Sequence, residues 1–341
     1  VISSAPYLNN IVLEIALITR ASALALVFCV LLSPAASFAA PTDLGTVSLG
    51  WFPGPDTPQV AQAVDKGLWT KRSLGVKMVS TPTGREALEA LVGGQCDYAL
   101  MAELPPVIGA LQHQNFRIIA TLARYVGTRV IATRAIDANF KNLAGLKIGT
   151  TLGTNVAFQT ARTLQTAGVT ATIVNLAPSD LTPALVRGDI DAAFMFGGFY
   201  PQAKKVLGEK YFERRTPWYK QTFVLVASTE ELTKHPDRVK AMLAGLLEAN
   251  ELILTKPAES AAVTSKAMGG LTPPDGLLAQ WSEYTFSIVL DRPLIELLNQ
   301  EASWVHENGS IKGPAPSPAL FETYIDAAPL AGLERKNVQL K

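Results

Sequence analysis

Short apolar runs alternate with stretches of helical periodicity along most of the chain. The segment 46–51 (TVSLGW) reads as a strand, and 58–68 places Val60, Ala61, Val64 and Leu68 at helical spacing. Strands are predicted at 76–80, 97–101 and 117–122, with helices over 84–92 and 105–112 between them. The rhythm then repeats, with strands at 129–133, 147–151, 171–176, 190–195 and 223–228 and helices over 155–167 and up to Gly188. Strands separated by helices of this length imply βαβ units and mainly parallel sheets. Two such blocks predict an α/β protein with two lobes. From Pro236 the pattern turns helical, and Val239, Met242, Leu243, Leu246, Leu247, Ile253 and Leu254 form a wide apolar stripe. Further helices are predicted over 273–281 and 293–305, with an irregular Pro- and Ala-rich tail from Gly313.

The first forty residues follow a different pattern. Arg20 precedes the apolar run 21–32, and small residues follow, with Ser37 and Ala39 at the −3 and −1 positions of a cleavage site. That is the layout of a secretory signal, expected to span 1–39 and to direct the protein to the periplasm. The alternative is an uncleaved anchor extended back over 11–18. A lipoprotein is disfavoured, because Phe28 rather than a small residue precedes Cys29.

Composition narrows the function. The 341 residues carry 30 Lys+Arg against 29 Asp+Glu, a formal charge of +1, which argues against a nucleic-acid partner held by a basic surface. With 48% hydrophobic residues, wholesale disorder is excluded. The two cysteines, Cys29 and Cys96, cannot build a disulfide scaffold or a four-cysteine zinc site. Cys96, beside an apolar strand, is expected to be a buried, unreactive thiol.

In open α/β sheets, ligands bind beyond the carboxyl ends of the strands. Those ends are 51–57 (WFPGPDT), 81–85 (TPTGR), 102–104 (AEL), 151–155 (TLGTN) and 195–199 (MFGGF). The first four run directly into helices, whose starts offer unpaired N–H groups and a positive dipole end. The 149–155 turn is neither a dinucleotide fingerprint nor a phosphate loop, so no nucleotide and no other cofactor is indicated. Trp51 and Phe52 suit an apolar wall or plain core packing. Arg85 suits an anion or solvent. Glu103 suits a ligand donor or a helix cap. Arg129 and Arg134 read as solvated. His113, His235 and His306 fall away from every strand end, and no metal-protease or nucleophile-elbow motif occurs.

The segments 50–68, 82–98, 104–110, 142–155 and 185–194, in that order and spacing, resemble the periplasmic substrate-binding proteins of ABC importers. The likeness is to the sulfonate/taurine/nitrate and NMT1-like group, and it runs over roughly 47–230. It implies a two-lobed type II periplasmic binding fold, with lobe I formed by 42–127 and 228–341 and lobe II by 128–227. Two crossing strands would form a hinge near 128–131 and 223–227. Carried over residue by residue, Trp51, Phe52, Pro55 and Asp56 would line the first-lobe side of the cleft. Thr83, Gly84 and Arg85 match a loop that faces ligand in the group. Glu103 stands where the group often has a small polar residue or Asp, a departure that weighs against a simple sulfonate or nitrate. Thr128, Thr151, Gly153, Thr154 and Asn155 would be second-lobe contacts. Phe196 and Gly198 depart from an often aromatic or acidic site, and Gly197-Gly198 leaves room for a larger ligand.

The resemblance implies a monomeric, non-enzymatic solute-binding protein. It would capture a small organic molecule, expected to be anionic or aromatic, and hand it to a membrane permease. Two alternatives remain open at this stage. One is an enzyme like the pyrimidine synthases on the same fold, although their cysteine-rich motif and active-site histidine are not found here. The other is a sensory partner of a membrane receptor.

Overall fold

The computed structural model describes residues 43–309, 311, 315–317 and 319–340; the expected export signal lies outside them. The chain builds two sheets flanked by helices. The larger has the order β12-β11-β4-β10-β3-β1-β2 and the smaller β7-β6-β8-β5-β9.

The larger sheet begins with β1 (Thr46–Trp51), α1 (Pro58–Asp65), β2 (Gly75–Ser80), α2 (Gly84–Val92), β3 (Tyr98–Ala102), α3 (Leu104–Leu111) and β4 (Arg117–Tyr125). β1 pairs in parallel with β2 and β3, as the βαβ rhythm requires. Asp97, just before β3, fixes this register: its Oδ2 accepts from both Ser48 N and Ser48 Oγ at 2.7 Å. The smaller sheet is drawn from the middle of the chain. It comprises β5 (Arg129–Ala132), β6 (Lys147–Thr150), α4 (Asn155–Ala167), β7 (Thr172–Asn175), α5 (Leu181–Arg187), β8 (Ala192–Phe194), α6 (Tyr200–Leu207) and β9 (Phe212–Arg215).

The chain then returns to the larger sheet through β10 (Gln221–Ala227), which pairs antiparallel with β3 and β4. β10, expected to close the second lobe and act as hinge, is therefore an inner strand of the larger sheet. The second connection between the sheets is the stretch 216–220, and the first is 126–128. α7 (Thr229–Lys234), α8 (Pro236–Thr255), α9 (Pro257–Ala267) and α10 (Pro274–Trp281) follow. On α8 most of the apolar stripe is buried: Val239, Met242, Leu243 and Leu246 are each at most 1% exposed, whereas Leu254, expected in the same stripe, is 56% exposed. Gly245 on the same helix lets Trp69 approach so closely that a Cβ would sit 2.4 Å from its ring, and Trp69 Nε1 donates to Met242 O at 3.0 Å.

The last part departs from the all-helical expectation. β11 (Tyr284–Asp291) pairs antiparallel with β4, and its burial alternates along its length as one covered face demands. Asp291 ends the strand, caps α11 (Arg292–Glu307) by accepting from Leu294 N, and pairs with Arg124 Nη2 of β4 at 2.5 Å. α12 (Leu320–Tyr324), α13 (Ala328–Leu333) and β12 (Val338–Gln339) complete the chain. Among the described residues no helix is long and apolar enough to cross a membrane.

Candidate functional site

The carboxyl ends of β1 and β3 and the starts of α2 and α4 converge on one cavity, about 880 Å³ of empty space counting its open mouth. The loop after β1 forms one wall. Trp51 is 8% exposed and donates from Nε1 to Thr57 Oγ1 at 2.9 Å, whereas Phe52 stands 49% exposed at the rim. Trp281 Nε1 holds the loop by donating to Pro55 O at 3.0 Å. Half-buried Asp56 accepts at Oδ1 from the Tyr284 hydroxyl at 2.5 Å. Burial raises its carboxyl to about 6, against the opposing effect of that hydrogen bond.

The α2 start forms the floor. Thr83 Oγ1 accepts from Glu86 N at 3.2 Å, a side-chain cap, and Gly84 packs so close to β3 that a Cβ would lie 2.8 Å from Met101 Cβ. From the smaller sheet come Thr154, Asn155, Phe196, Gly198 and Phe199. Thr154 is the N-cap residue of α4, with its hydroxyl donating to Thr151 O at 2.7 Å. Gly198 faces Pro55 across the cavity, where a Cβ would come within 3.5 Å of the proline ring.

Ten of the expected site residues thus line one cavity: Trp51, Phe52, Pro55, Asp56, Thr83, Gly84, Thr154, Asn155, Phe196 and Gly198. Five do not. Arg85 lies over Gly153 of the other sheet, its Cδ 3.1 Å from where a Cβ would sit, and pairs loosely with Glu89 at 3.7 Å; these two residues meet each other rather than the cavity. Gly153 has φ +75°, a turn role that suits glycine. Thr151 Oγ1 donates to Leu176 O at 2.9 Å. Thr128 is bonded to Thr216 in the connections between the sheets.

Glu103 is wholly buried and faces inward. Its carboxylate accepts from the Tyr219 hydroxyl and from Thr222 N, the latter at 2.8 Å, and it makes no cap. Beside it lies Glu301 of α11, also wholly buried. Burial raises both carboxyls, Glu301 well above the usual range, with the neighbouring Glu103 charge adding to it. Burial and the neighbouring charge thus favour the neutral form of both carboxyls, of Glu301 more strongly. Arg129, expected to be solvated, is instead 12% exposed and pairs with Glu283 at 2.5 Å and Glu213 at 3.1 Å.

Several lining residues escaped the sequence reading. Gln221 and Phe223 were missed because β10 runs antiparallel to β3, so its beginning rather than its end faces the cavity. Met268 and Leu271 come from the turn after α9, where no motif marks them. Cys96 is 3% exposed, and burial raises its thiol to about 11. Among the described residues no cluster of three or more His, Cys, Asp or Glu side chains could hold a metal ion.

Known proteins place this architecture. A Brucella abortus protein whose name goes no further than binding protein is 27% identical over 236 residues, 66% of this chain and 71% of its own length. The alkanesulfonate-binding protein SsuA of Xanthomonas axonopodis pv. citri, solved with MOPS bound, superposes with a TM-score of 0.69 at 18% identity, covering 85% of this chain and all of that one. The periplasmic aliphatic sulphonate binding protein SsuA of Escherichia coli gives 0.67 at 19% identity, covering 87% of this chain and 94% of its own. The fold is therefore the two-lobed periplasmic binding fold. Residues 55–260 match the family model described as NMT1/THI5 like, and the chain belongs to that family.

Proposed function

We propose that the chain is an extracytoplasmic solute-binding protein of an ABC importer, which closes on a small organic molecule and delivers it to a membrane permease. The observation that carries this reading is the cavity itself, walled on one side by the ends of β1 and β3 of the larger sheet and on the other by Thr154, Asn155, Phe196, Gly198 and Phe199 beside the smaller. A solute that touches both walls favours the closed arrangement over the open one, which supplies the signal a permease reads. Trp51, Phe52, Pro55, Asp56, Thr83 and Gly84 serve as contacts from one lobe, and Thr154, Asn155, Phe196 and Gly198 from the other. The periplasmic relatives named above support this reading and the export expected from the N-terminal pattern.

Turnover is the weaker reading. The cavity lining holds one carboxylate, Asp56, and no His, Cys or Lys among the described residues. The reading is tested by native mass spectrometry of protein exported to the periplasm, followed by small-angle scattering with and without the released molecule. A bound small molecule whose return compacts the protein is expected. Protein that never carries a solute, and chemical conversion of a solute it does carry, are the two results that count against it.

A further inference from the structure

We infer that the solute held in this cavity bears no anionic group: it is a planar, largely apolar molecule with an N–H donor that Asp56 receives. The inference rests on the reading of the cavity as a solute site. Its basis is the charge of the wall. Among the described residues no Lys, Arg or His lines the cavity, and the one carboxyl on its surface is Asp56. Arg85, which suited an anion or solvent, lies outside, against Gly153 and Glu89.

Asp56 is also fixed in place. Its Oδ1 is held by Tyr284, whose ring stacks on Tyr125 at 4.3 Å between centroids, so the carboxylate cannot swing away to accommodate a second negative charge. An anion enclosed there would lose water and gain like-charge repulsion with no side-chain cation in return. An N–H donor removes that penalty, because it meets the acceptor the wall already offers.

The rest of the wall selects shape. Trp51, Phe52, Phe196, Phe199 and Phe223 supply flat apolar faces. Asn155 Nδ2, buried at the start of α4, lies beside the Tyr219 hydroxyl but makes no hydrogen bond of normal geometry with it. It can donate to a neutral carbonyl or ring-nitrogen acceptor on the same molecule. The helix starts offer backbone donors that suit such a neutral acceptor as well as an anion, so Asp56 is the group that decides between them.

The test is titration calorimetry of the exported full chain, freed of bound solute, at pH 7.5. Four probes sharing one aromatic ring are used: benzamide, benzamidinium, benzoate and benzenesulfonate. Benzamide or benzamidinium is expected to bind at least ten-fold more tightly than either anion. The variant Asp56→Asn, checked for an unchanged fold by circular dichroism, is expected to lose the preference for benzamidinium. Tighter binding of benzoate or benzenesulfonate overturns the inference and leaves the solute-binding reading standing. Failure of all four probes also overturns it. The solute-binding reading falls with it only if the exported protein carries no small molecule at all.

Discussion

Thr216 N donates to Thr128 O at 2.9 Å, and the hydroxyls of the same two residues lie 2.9 Å apart. The two connections between the sheets are therefore tied to each other at one point. Gln159 Nε2 of α4 adds a third bond by donating to Thr216 Oγ1 at 3.0 Å, so the helix that opens onto the cavity is anchored to the same place. All three side chains are buried. Thr216→Val keeps the shape and the backbone bond but strands the Gln159 donor. A loss of about 1–3 kcal/mol is expected in urea denaturation, and no change there would show that the hydroxyl network carries nothing.

The neighbouring Gly127 is a second tight point. A Cβ at this position would fall 1.7 Å from Glu283 Oε2 and 2.6 Å from the Tyr125 ring. Glu283 binds both Arg129 and Arg215, linking the segment before β11 to the smaller sheet. Gly127→Ala is expected to expel Glu283 and leave part-buried Arg129 with Glu213 as its remaining carboxylate partner, at a cost of about 1.5–3 kcal/mol. The melting temperature checks this.

Glu103 and Glu301 make stability depend on pH. Both carboxyls are raised above the ordinary 4.5, so the folded chain binds more protons than the unfolded chain above that value. The contribution of this pair is then greatest below the ordinary carboxylate range and falls as pH rises through the raised values. Glu301→Gln removes one buried titrating carboxyl and places a neutral amide beside Glu103. Its denaturation free energy is expected to fall less steeply between pH 5 and 9, with a gain of about 1 kcal/mol or more at pH 8. Equal slopes for the two proteins would show that Glu301 does not titrate in this range.

Trp51 and Phe52 are adjacent in sequence and differ in consequence. Trp51 packs in the core and bonds to Thr57, so Trp51→Ala is expected to cost about 3–5 kcal/mol of stability as well as affinity. Phe52 is half exposed at the cavity mouth. Phe52→Ala is expected to weaken solute binding by about ten-fold while shifting the melting temperature little. Calorimetry and thermal melts on the two variants separate these effects.

The Cys96 thiol, raised by burial, is expected to stay unmodified by a thiol reagent at pH 8 and to react only when denaturant is added. Mass spectrometry of the treated native protein reads this directly.

Most of the larger architecture was legible because β1 to β4 carry their period and their turns locally. β11 was not: it follows the helix 274–281 closely and has only one buried face, so a mixed run of Tyr, Thr, Phe, Ser and Ile reads as easily as helix. β9 (FERR) is an exposed edge strand with no alternation to detect. The candidate cleft emerged from strand ends, which is why Trp51, Thr83 and Thr154 were found. Glu103 also sits at a strand end, but its orientation depends on Tyr219 and Glu301, more than a hundred residues away. No local pattern announces such partners.

Every strand of the smaller sheet comes from the unbroken stretch 129–215, whereas the larger needs strands from both before and after it. A chain emerging from its amino end can finish the smaller sheet early, while β3 and β4 still wait for β10 to fill the gap between them. Until that strand arrives, two inner edges of the larger sheet stand open at once, and this is the interval in which the molecule has most need of a holding partner.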